Sequence, residues 1–442
     1  MKNRALPNRR DVLKAGAFAA AVPFASRVSW AAGSPMQKLQ YAAVAVAGRG
    51  AADIGSISRH EKIRVVAGAD VDANVLEKFS KQHKDARTFS DWREMLDKMG
   101  EGIDVVSVST PDHMHGIISM SAMNMKKHVY VQKPLAQNIG ECRAMLACAQ
   151  RNKVVVQMGN QCATSHDRVS VKLVQRGVIG KVTEVWAFCG KTWGDTSARP
   201  DRRDPIPKGL DWDGWLGVAA ERPYLEKYYH PKGWRRRQGL GAGALGDMGC
   251  HIFNAPFRGL SLTAPKCIRS ETGVPNAHNW ANSEYVEYEF PGTPLTDGDL
   301  KVHWVSGSRR PPKELTDQLG GAKLRFGSLL KGTDGILMLR HGGTPSLFPQ
   351  DKFKDVQPAQ VEPMGHHASF VDAMISGDQS KLQSPIDYAA PMTAFVLLGN
   401  IAMQHSPDWL DWDSRNWRIT NNEAANKDIS RVNRSGWEVM GA

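Results

Sequence analysis

Cysteine is scarce in this chain and poorly placed for cross-links. The six in 442 residues (Cys142, Cys148, Cys162, Cys189, Cys250 and Cys267) form no C-x-x-C pair and no zinc-like spacing. That argues against a disulfide framework and a structural zinc centre. Cys142 and Cys148 fall on different faces of one expected helix, so free, mostly buried thiols are expected. No other spacing demands a metal, and His366-His367 reads as a helix start. A long apolar run is also missing: Ala15 to Phe24 is too short and too Ala-rich to span a bilayer as a stable helix. Concentrated basic charge is absent too. The net charge of +12 includes +5 from the first 31 residues, and the remaining +7 is spread along the chain, which argues against nucleic-acid binding. There is no internal repeat and no low-complexity tract.

What the chain does have begins at its N-terminus. Asn8-Arg9-Arg10-Asp11-Val12-Leu13-Lys14, the apolar stretch after it and small residues near Ser29-Trp30-Ala31 read as a twin-arginine export signal over residues 1–31. That reading expects a periplasmic protein and the twin-arginine machinery as a partner. That route carries proteins that have already folded in the cytosol.

With 41% hydrophobic and 23% charged residues, the remainder is long enough for two globular domains. Between residues 38 and 162, apolar runs at 41–47, 63–69, 103–109, 127–131 and 154–158 alternate with helical segments. Continuous apolar strands separated by helices mean a parallel sheet covered on both faces, the doubly wound α/β architecture of a Rossmann-type dinucleotide-binding domain. From 163 to 442 the texture changes. A helix near 167–175, strands at 181–188, 283–290, 300–305 and 335–340, and a long loop from Gly190 to Gly241 predict an α+β domain with a mostly antiparallel open sheet. Helices near 362–374 and 389–403 are expected to fold back on the first domain.

The first strand runs into Gly48-Arg49-Gly50-Ala51-Ala52-Asp53. Glycines there let backbone N–H groups approach a pyrophosphate at a helix N-terminus, although Asp53 stands where G-x-G-x-x-G has its third glycine. Asp70, about twenty residues on at the end of the next strand, is placed to accept from both ribose hydroxyls and to repel a 2′-phosphate. NAD is therefore favoured, with NADP left open by Arg49 and Asp72.

Thr110-Pro111-Asp112-His113-Met114-His115 after one strand, and Lys127 to Leu135 with its Gln132-Lys133-Pro134, together with the glycine turn, resemble the Gfo/Idh/MocA family of nicotinamide-dependent sugar oxidoreductases. Residues 210–217 and Gly246-Asp247-Met248-Gly249-Cys250-His251 look like further segments of that family. The resemblance implies that Thr110, Pro111, Gln132 and Lys133 belong to the cofactor site, with Lys133 beside the nicotinamide and the reacting hydroxyl, and His115 bordering that pocket. Two departures stand out: Gln132 replaces the glutamate usual before Lys-Pro, and Asn254 stands where many relatives place an acid. Asp247 and His251, spaced i, i+4, share one face of a helix, which makes His251 the general acid/base and Asp247 its partner or a hydroxyl-binding group. Tyr229, His230 and Trp234 lie in a loop suited to contacting a sugar ring.

The activity that follows from the resemblance is exported, tightly held nicotinamide moving hydride to and from a sugar, cyclitol or glycoside. Two alternatives stay open: glycosidic cleavage by transient oxidation at ring carbon 3 with no net redox, and a non-catalytic sugar-binding protein. Family likeness also implies a homo-oligomer, dimer or tetramer.

Overall fold

A computed structural model describes residues 38–161 and 165–441. The export signal, Cys162 and the expected domain boundary lie outside the described residues.

The first unit is a six-stranded parallel sheet: β1 (Leu39–Val44), β2 (Ile63–Ala69), β3 (Arg87–Phe89), β4 (Val105–Val108), β5 (His128–Gln132) and β6 (Val156–Gly159), in the order β3-β2-β1-β4-β5-β6. Every residue of β4, β5 and β6 is buried, which is why these strands read as unbroken apolar runs. Helices α1 (Arg49–Ile57), α2 (Ala73–Gln82), α3 (Trp92–Met99), α4 (His115–Asn124) and α5 (Ile139–Asn152) connect them. Side chains cap α2, α3 and α5: Asp72 accepts from Asn74 N–H, Asp91 from Arg93 N–H and Asn138 from Glu141 N–H. Each such cap stabilises by about 1 kcal/mol. Helices α1 and α4 have no side-chain cap, and α1 starts directly after Gly48. The N–H groups of Gly50 and Ala51 turn back to the Ala47 carbonyl, and Gly48 and Arg49 face the cavity beside it.

The second unit is a nine-stranded sheet ordered β13-β12-β11-β7-β10-β9-β8-β14-β15. Its strands are β7 (Val182–Cys189), β8 (Cys267–Ser270), β9 (Tyr285–Phe290), β10 (Thr296–Ser306), β11 (Phe326–Gly332), β12 (Ile336–Arg340), β13 (Ser346–Phe348), β14 (Leu410–Asp413) and β15 (Arg418–Ile419). All pairs are antiparallel except β7 with β10. The later part of the chain also carries α6 (Ser165–Gln175), α7 (Trp212–Leu216), α8 (Gly243–Ile252), α9 (His366–Ser376) and α10 (Ile386–Gln404). Helix α8 packs on β7, β10 and β11, while α9 packs on α1 and α10 on α5. The two units are thus clamped at two places by the C-terminal helices. Among the described helices only α10 is long and apolar enough to cross a membrane, but 83% of its apolar window is buried inside the protein, as in a core helix.

The stretch 190–241, read as one long loop, is structured by its own aromatic cluster. Asp211 caps α7 by accepting from Gly214 N–H, and the rings of Trp212 and Trp215 stack 4.8 Å apart. Leu210, Tyr224, Tyr228, Tyr229 and Trp234 complete the cluster. The five described cysteines are free.

Candidate active site

A cavity of about 500 Å³ opens at the carboxyl ends of β1, β2, β4 and β5, between the two units. That is the topological switch point where doubly wound sheets hold their ligands. Its wall begins at the glycine turn. Gly48 has φ +55°, a conformation that favours glycine, and a Cβ added to Gly50 would collide with the carbonyl oxygen of Ala45. Gly48 and Arg49 line the cavity, whereas Gly50 and Ala51 stand behind it in the first turn of α1. Asp70 lies just past the end of β2, on the cavity wall. Its Oδ2 accepts from Val46 N–H (3.0 Å) and its Oδ1 from Asp72 N–H (3.1 Å), which orients the carboxylate and leaves lone pairs for further donors. Burial raises the Asp70 carboxyl above its ordinary range, and these backbone bonds partly oppose the rise. Thr110 and Pro111 are also on the wall, and Thr110 Oγ1 is buried there without a hydrogen-bond partner. An uncapped helix start, a glycine-only turn, a strand-end carboxylate and an orphaned hydroxyl together fit a dinucleotide.

Asp53, the misfit of the glycine fingerprint, is wholly buried and is the centre of a polar network. Its Oδ2 accepts from Ser109 Oγ (2.9 Å) and from Gln132 Nε2 (2.8 Å), and its Oδ1 from Gln161 Nε2 (3.2 Å). Arg49 and His367 also face Oδ1, at 3.5 and 3.4 Å. The single carboxylate ties the cofactor turn to the ends of β4, β5 and β6 and to α9. It also explains Gln132: a donor is required opposite Asp53, and a glutamate there would set two buried carboxylates against each other.

Lys133 and Asp247 meet across the two units. Lys133 Nζ donates to Asp247 Oδ1 at 2.7 Å and to the Asp247 backbone carbonyl at 2.9 Å. Both residues line the cavity. Trp193 Nε1 donates to Asp247 Oδ2 (2.8 Å), Lys191 Nζ lies 3.5 Å from that oxygen, and Arg235 Nε lies 3.6 Å from Oδ1. Burial alone would raise the Asp247 carboxyl, but the Lys133 charge and hydrogen bond, with Lys191 and Arg235, outweigh it and hold the group well below the usual carboxylate range. Asp247 is therefore an anion at every physiological pH.

His251 lies one turn beyond Asp247 on α8. Asn160 Nδ2 donates to the Cys250 carbonyl (2.8 Å), so Asn160 Oδ1 faces His251 Nδ1 at 2.6 Å. A carbonyl oxygen only accepts, so the proton sits on Nδ1 and Nε2 keeps its lone pair. Desolvation, with the nearby charge of Lys133 and the ring of His341 5.2 Å away, pushes the imidazole well below its ordinary pKa. It is therefore neutral at pH 7, with Nε2 unprotonated.

Three of the residues singled out from sequence have different surroundings from those expected. His115 does not border the cavity. It is fully buried, with Nδ1 2.7 Å from the Pro134 carbonyl and Nε2 2.9 Å from that of Thr110, and burial pushes its pKa down to about 4. It braces the two strand-end segments that carry Thr110 and Lys133. Tyr229 does not line the cavity either; its ring packs 5.8 Å from Trp212 and 4.8 Å from Tyr228 inside the aromatic cluster. The Tyr229 side chain is almost wholly apolar surface, and the cluster buries it. His251 belongs to the same helix face as Asp247 but is not part of the cavity lining. His230 and Trp234 do line the cavity.

Sequence reasoning missed Lys191, Trp193, Arg235, Asn160 and Asp112. Asp112 lines the cavity fully buried, and desolvation pushes its carboxyl up to about 7 against the opposing charges of Lys133 and Arg235. Its place directly after Thr110-Pro111 was the available signal.

Known proteins place this geometry. Residues 42–160 match the Gfo/Idh/MocA "Oxidoreductase family, NAD-binding Rossmann fold", and residues 166–289 match the "Oxidoreductase family, C-terminal alpha/beta domain". A levoglucosan dehydrogenase of Pseudarthrobacter phenanthrenivorans is 29% identical over 167 residues, 37% of this chain and 34% of that one. A glycosyl hydrolase family 109 protein of Shewanella sp. (strain ANA-3) is 30% identical over 92 residues, 21% of this chain and 20% of that one. The matched stretches thus span about a third or less of these relatives' length. The WlbA dehydrogenase of Bordetella pertussis, solved with NADH and UDP-GlcNAcA, superposes with a TM-score of 0.61 over 85% of this chain and 99% of that chain, at 15% identity. The chain belongs to the Gfo/Idh/MocA oxidoreductase family, its NAD-binding Rossmann domain followed by the family's C-terminal α/β domain.

Proposed function

We propose that this protein is an NAD-dependent oxidoreductase that interconverts a secondary hydroxyl and a carbonyl on a sugar, cyclitol or glycoside. The observation that carries the reading is the Lys133–Asp247 contact on the wall of the dinucleotide cavity. An ammonium has three N–H donors, and Asp247 takes two of them from Lys133. The third is left for the oxygen of the reacting carbinol, where it stabilises alkoxide character as the bond to hydrogen weakens. We assign the hydroxyl proton to His251 Nε2, which stands one turn from Asp247 outside the cavity lining, and the same nitrogen returns it in the reverse direction. The glycine turn and Asp70 would hold NAD, which when bound would supply the two-electron acceptor for the hydride of the carbinol carbon. Trp234 offers an aromatic face to the sugar ring.

The twin-arginine motif at Arg9-Arg10 supports export of the folded, cofactor-loaded protein. Outside the cytosol a tightly held nicotinamide must be regenerated within the catalytic cycle, by reducing a second sugar or by returning the hydride. The likeness to glycosyl hydrolase family 109 proteins favours a second reading of the returned-hydride kind, in which transient oxidation acidifies a neighbouring C–H and permits loss of the aglycone. Two assays on the purified protein separate them. Reduced nicotinamide accumulating with a sugar alone supports net oxidation, whereas release of a chromogenic aglycone without net reduction supports cleavage. Silence in both, with sugar-induced thermal stabilisation, leaves a binding protein.

A further inference from the structure

The charges around Asp247 do not balance. Lys133, Lys191 and Arg235 lie within 3.6 Å of its carboxylate. A fourth cation, Arg236, places its guanidinium 5.7 Å from the ring of Trp193, which itself donates to Asp247. Lys232 adds a fifth on the cavity wall. The anions nearest Lys133 and Arg235 are Asp247 and Asp112, while Asp70 and Asp72 share the cavity wall with Lys232, and burial keeps Asp112 partly protonated near neutral pH. His251 and His341 face the same region and are held neutral by desolvation and by these cations. The neighbouring Arg237 shows what an accounted-for arginine looks like here: its Nη1 donates to Asp195 and to Asn279 at 2.7 and 2.6 Å. Arg236 has nothing comparable. Among the described residues its guanidinium makes no hydrogen bond or ion pair, and its Nε is buried without an acceptor. A buried guanidinium N–H without a partner costs free energy unless a ligand supplies one.

We infer that the sugar bound at this site carries a carboxylate, as uronic acids do, and that Arg236 and Lys191 receive it beside Trp193. This rests on the oxidoreductase reading above and narrows its substrate class. The guanidinium fork matches a carboxylate with two parallel hydrogen bonds, which a point charge such as lysine does not reproduce. Trp193, flanked by Arg235 at 5.6 Å and Arg236 at 5.7 Å, gives the sugar ring an aromatic neighbour beside the anion site. A neutral sugar would leave the excess positive charge beside Asp247 uncompensated.

Calorimetric titration of the NAD-loaded protein with D-glucuronate, D-galacturonate, their methyl esters, the parent neutral sugars and glucose 6-phosphate tests this, with turnover of each followed separately. The expected result is binding of at least one free acid about tenfold or more tighter than its ester and neutral parent, the order of a hydrogen bond to a charged group. Arg236→Gln should reduce that advantage to within about twofold, and Arg236→Lys should recover only part of it. Thermal melting of each variant guards against misfolding. Equal affinity for acid and ester, an advantage untouched by Arg236→Gln, or a preference for the phosphate would overturn the inference. Neutral sugars that bind and turn over as well as the acids sink the inference alone; no turnover of any sugar sinks the oxidoreductase reading beneath it.

Discussion

Gln132 donates its side-chain amide to Asp53, 2.8 Å away, deep under the cofactor turn. Both residues depart from the pattern expected at their positions, and each departure accounts for the other. The carboxylate at this place in the fold is Asp53 on α1, with an amide rather than an acid before Lys133. Glu at 132 would face Asp53 as a second buried carboxylate. Gln132→Glu is therefore expected to lower stability by about 2–4 kcal/mol and to weaken NAD binding. Asp53→Asn in the same chain should restore most of the loss, because the donor and acceptor have only exchanged sides. Thermal denaturation and NAD titration of the two single variants and the double variant measure this; an innocuous Gln132→Glu would contradict it.

Gly50→Ala tests the turn itself. Its added methyl would meet the Ala45 carbonyl, a backbone atom that cannot swing aside. The expected outcome is NAD affinity reduced about tenfold or more with the sheet intact by circular dichroism, at a stability cost of about 1–3 kcal/mol. Undiminished NAD affinity would show that the turn tolerates the shift.

The Asp112 carboxyl is pushed up to about 7 in the folded protein, well above its unfolded value of about 3.8. A carboxyl whose folded pKa is raised stabilises most at low pH, below the unfolded value. That contribution is lost as pH rises from about 4 through 7, because the unfolded chain releases its proton first. Asp112→Asn removes this titration, so its stability should fall less between pH 4 and 7 than the wild type's. Parallel melting curves would argue against a buried, proton-holding Asp112.

Asp247 has the opposite sign. Its carboxyl is held below the unfolded value by Lys133, so its contribution is present above about pH 4 and lost as pH falls further. Asp247→Asn leaves Lys133, Lys191 and Arg235 without their shared anion. We expect a stability loss of about 3 kcal/mol at pH 7 and turnover reduced by about 10²-fold or more. The gap from wild type should narrow as both are titrated to acid pH.

The Rossmann strands were legible because sheets buried on both faces leave continuous apolar runs, as in Val105–Val108 and His128–Gln132. Strands of two or three residues, such as Arg87–Phe89 and Arg418–Ile419, carry no period to detect. The segment 190–241 looked like a loop because what orders it is contact between Trp212, Trp215 and Tyr229, which composition suggests but spacing does not reveal. The same limit hid the site's supporting shell. Asp53 looked like a blemish in a glycine motif, yet its partners come from positions 109, 132, 161 and 367. Lys133, Asp247 and His251 were found through a family pattern, whereas Lys191, Trp193 and Arg235 belong to no motif and join Asp247 only in the folded chain. The ring of Tyr229 suits a sugar by composition alone, but packing takes it into the aromatic cluster.

The most direct test of the central claim is a single-turnover experiment on NAD-loaded wild type and Lys133→Met with a substrate that the wild type oxidises. Reduced nicotinamide should appear in the wild type and fall in rate by about 10³-fold or more in the variant, with NAD retained equally by both on mass spectrometry of the released cofactor. Hydride transfer at an unchanged rate in Lys133→Met would remove the Lys133–Asp247 pair from the chemistry and the account with it.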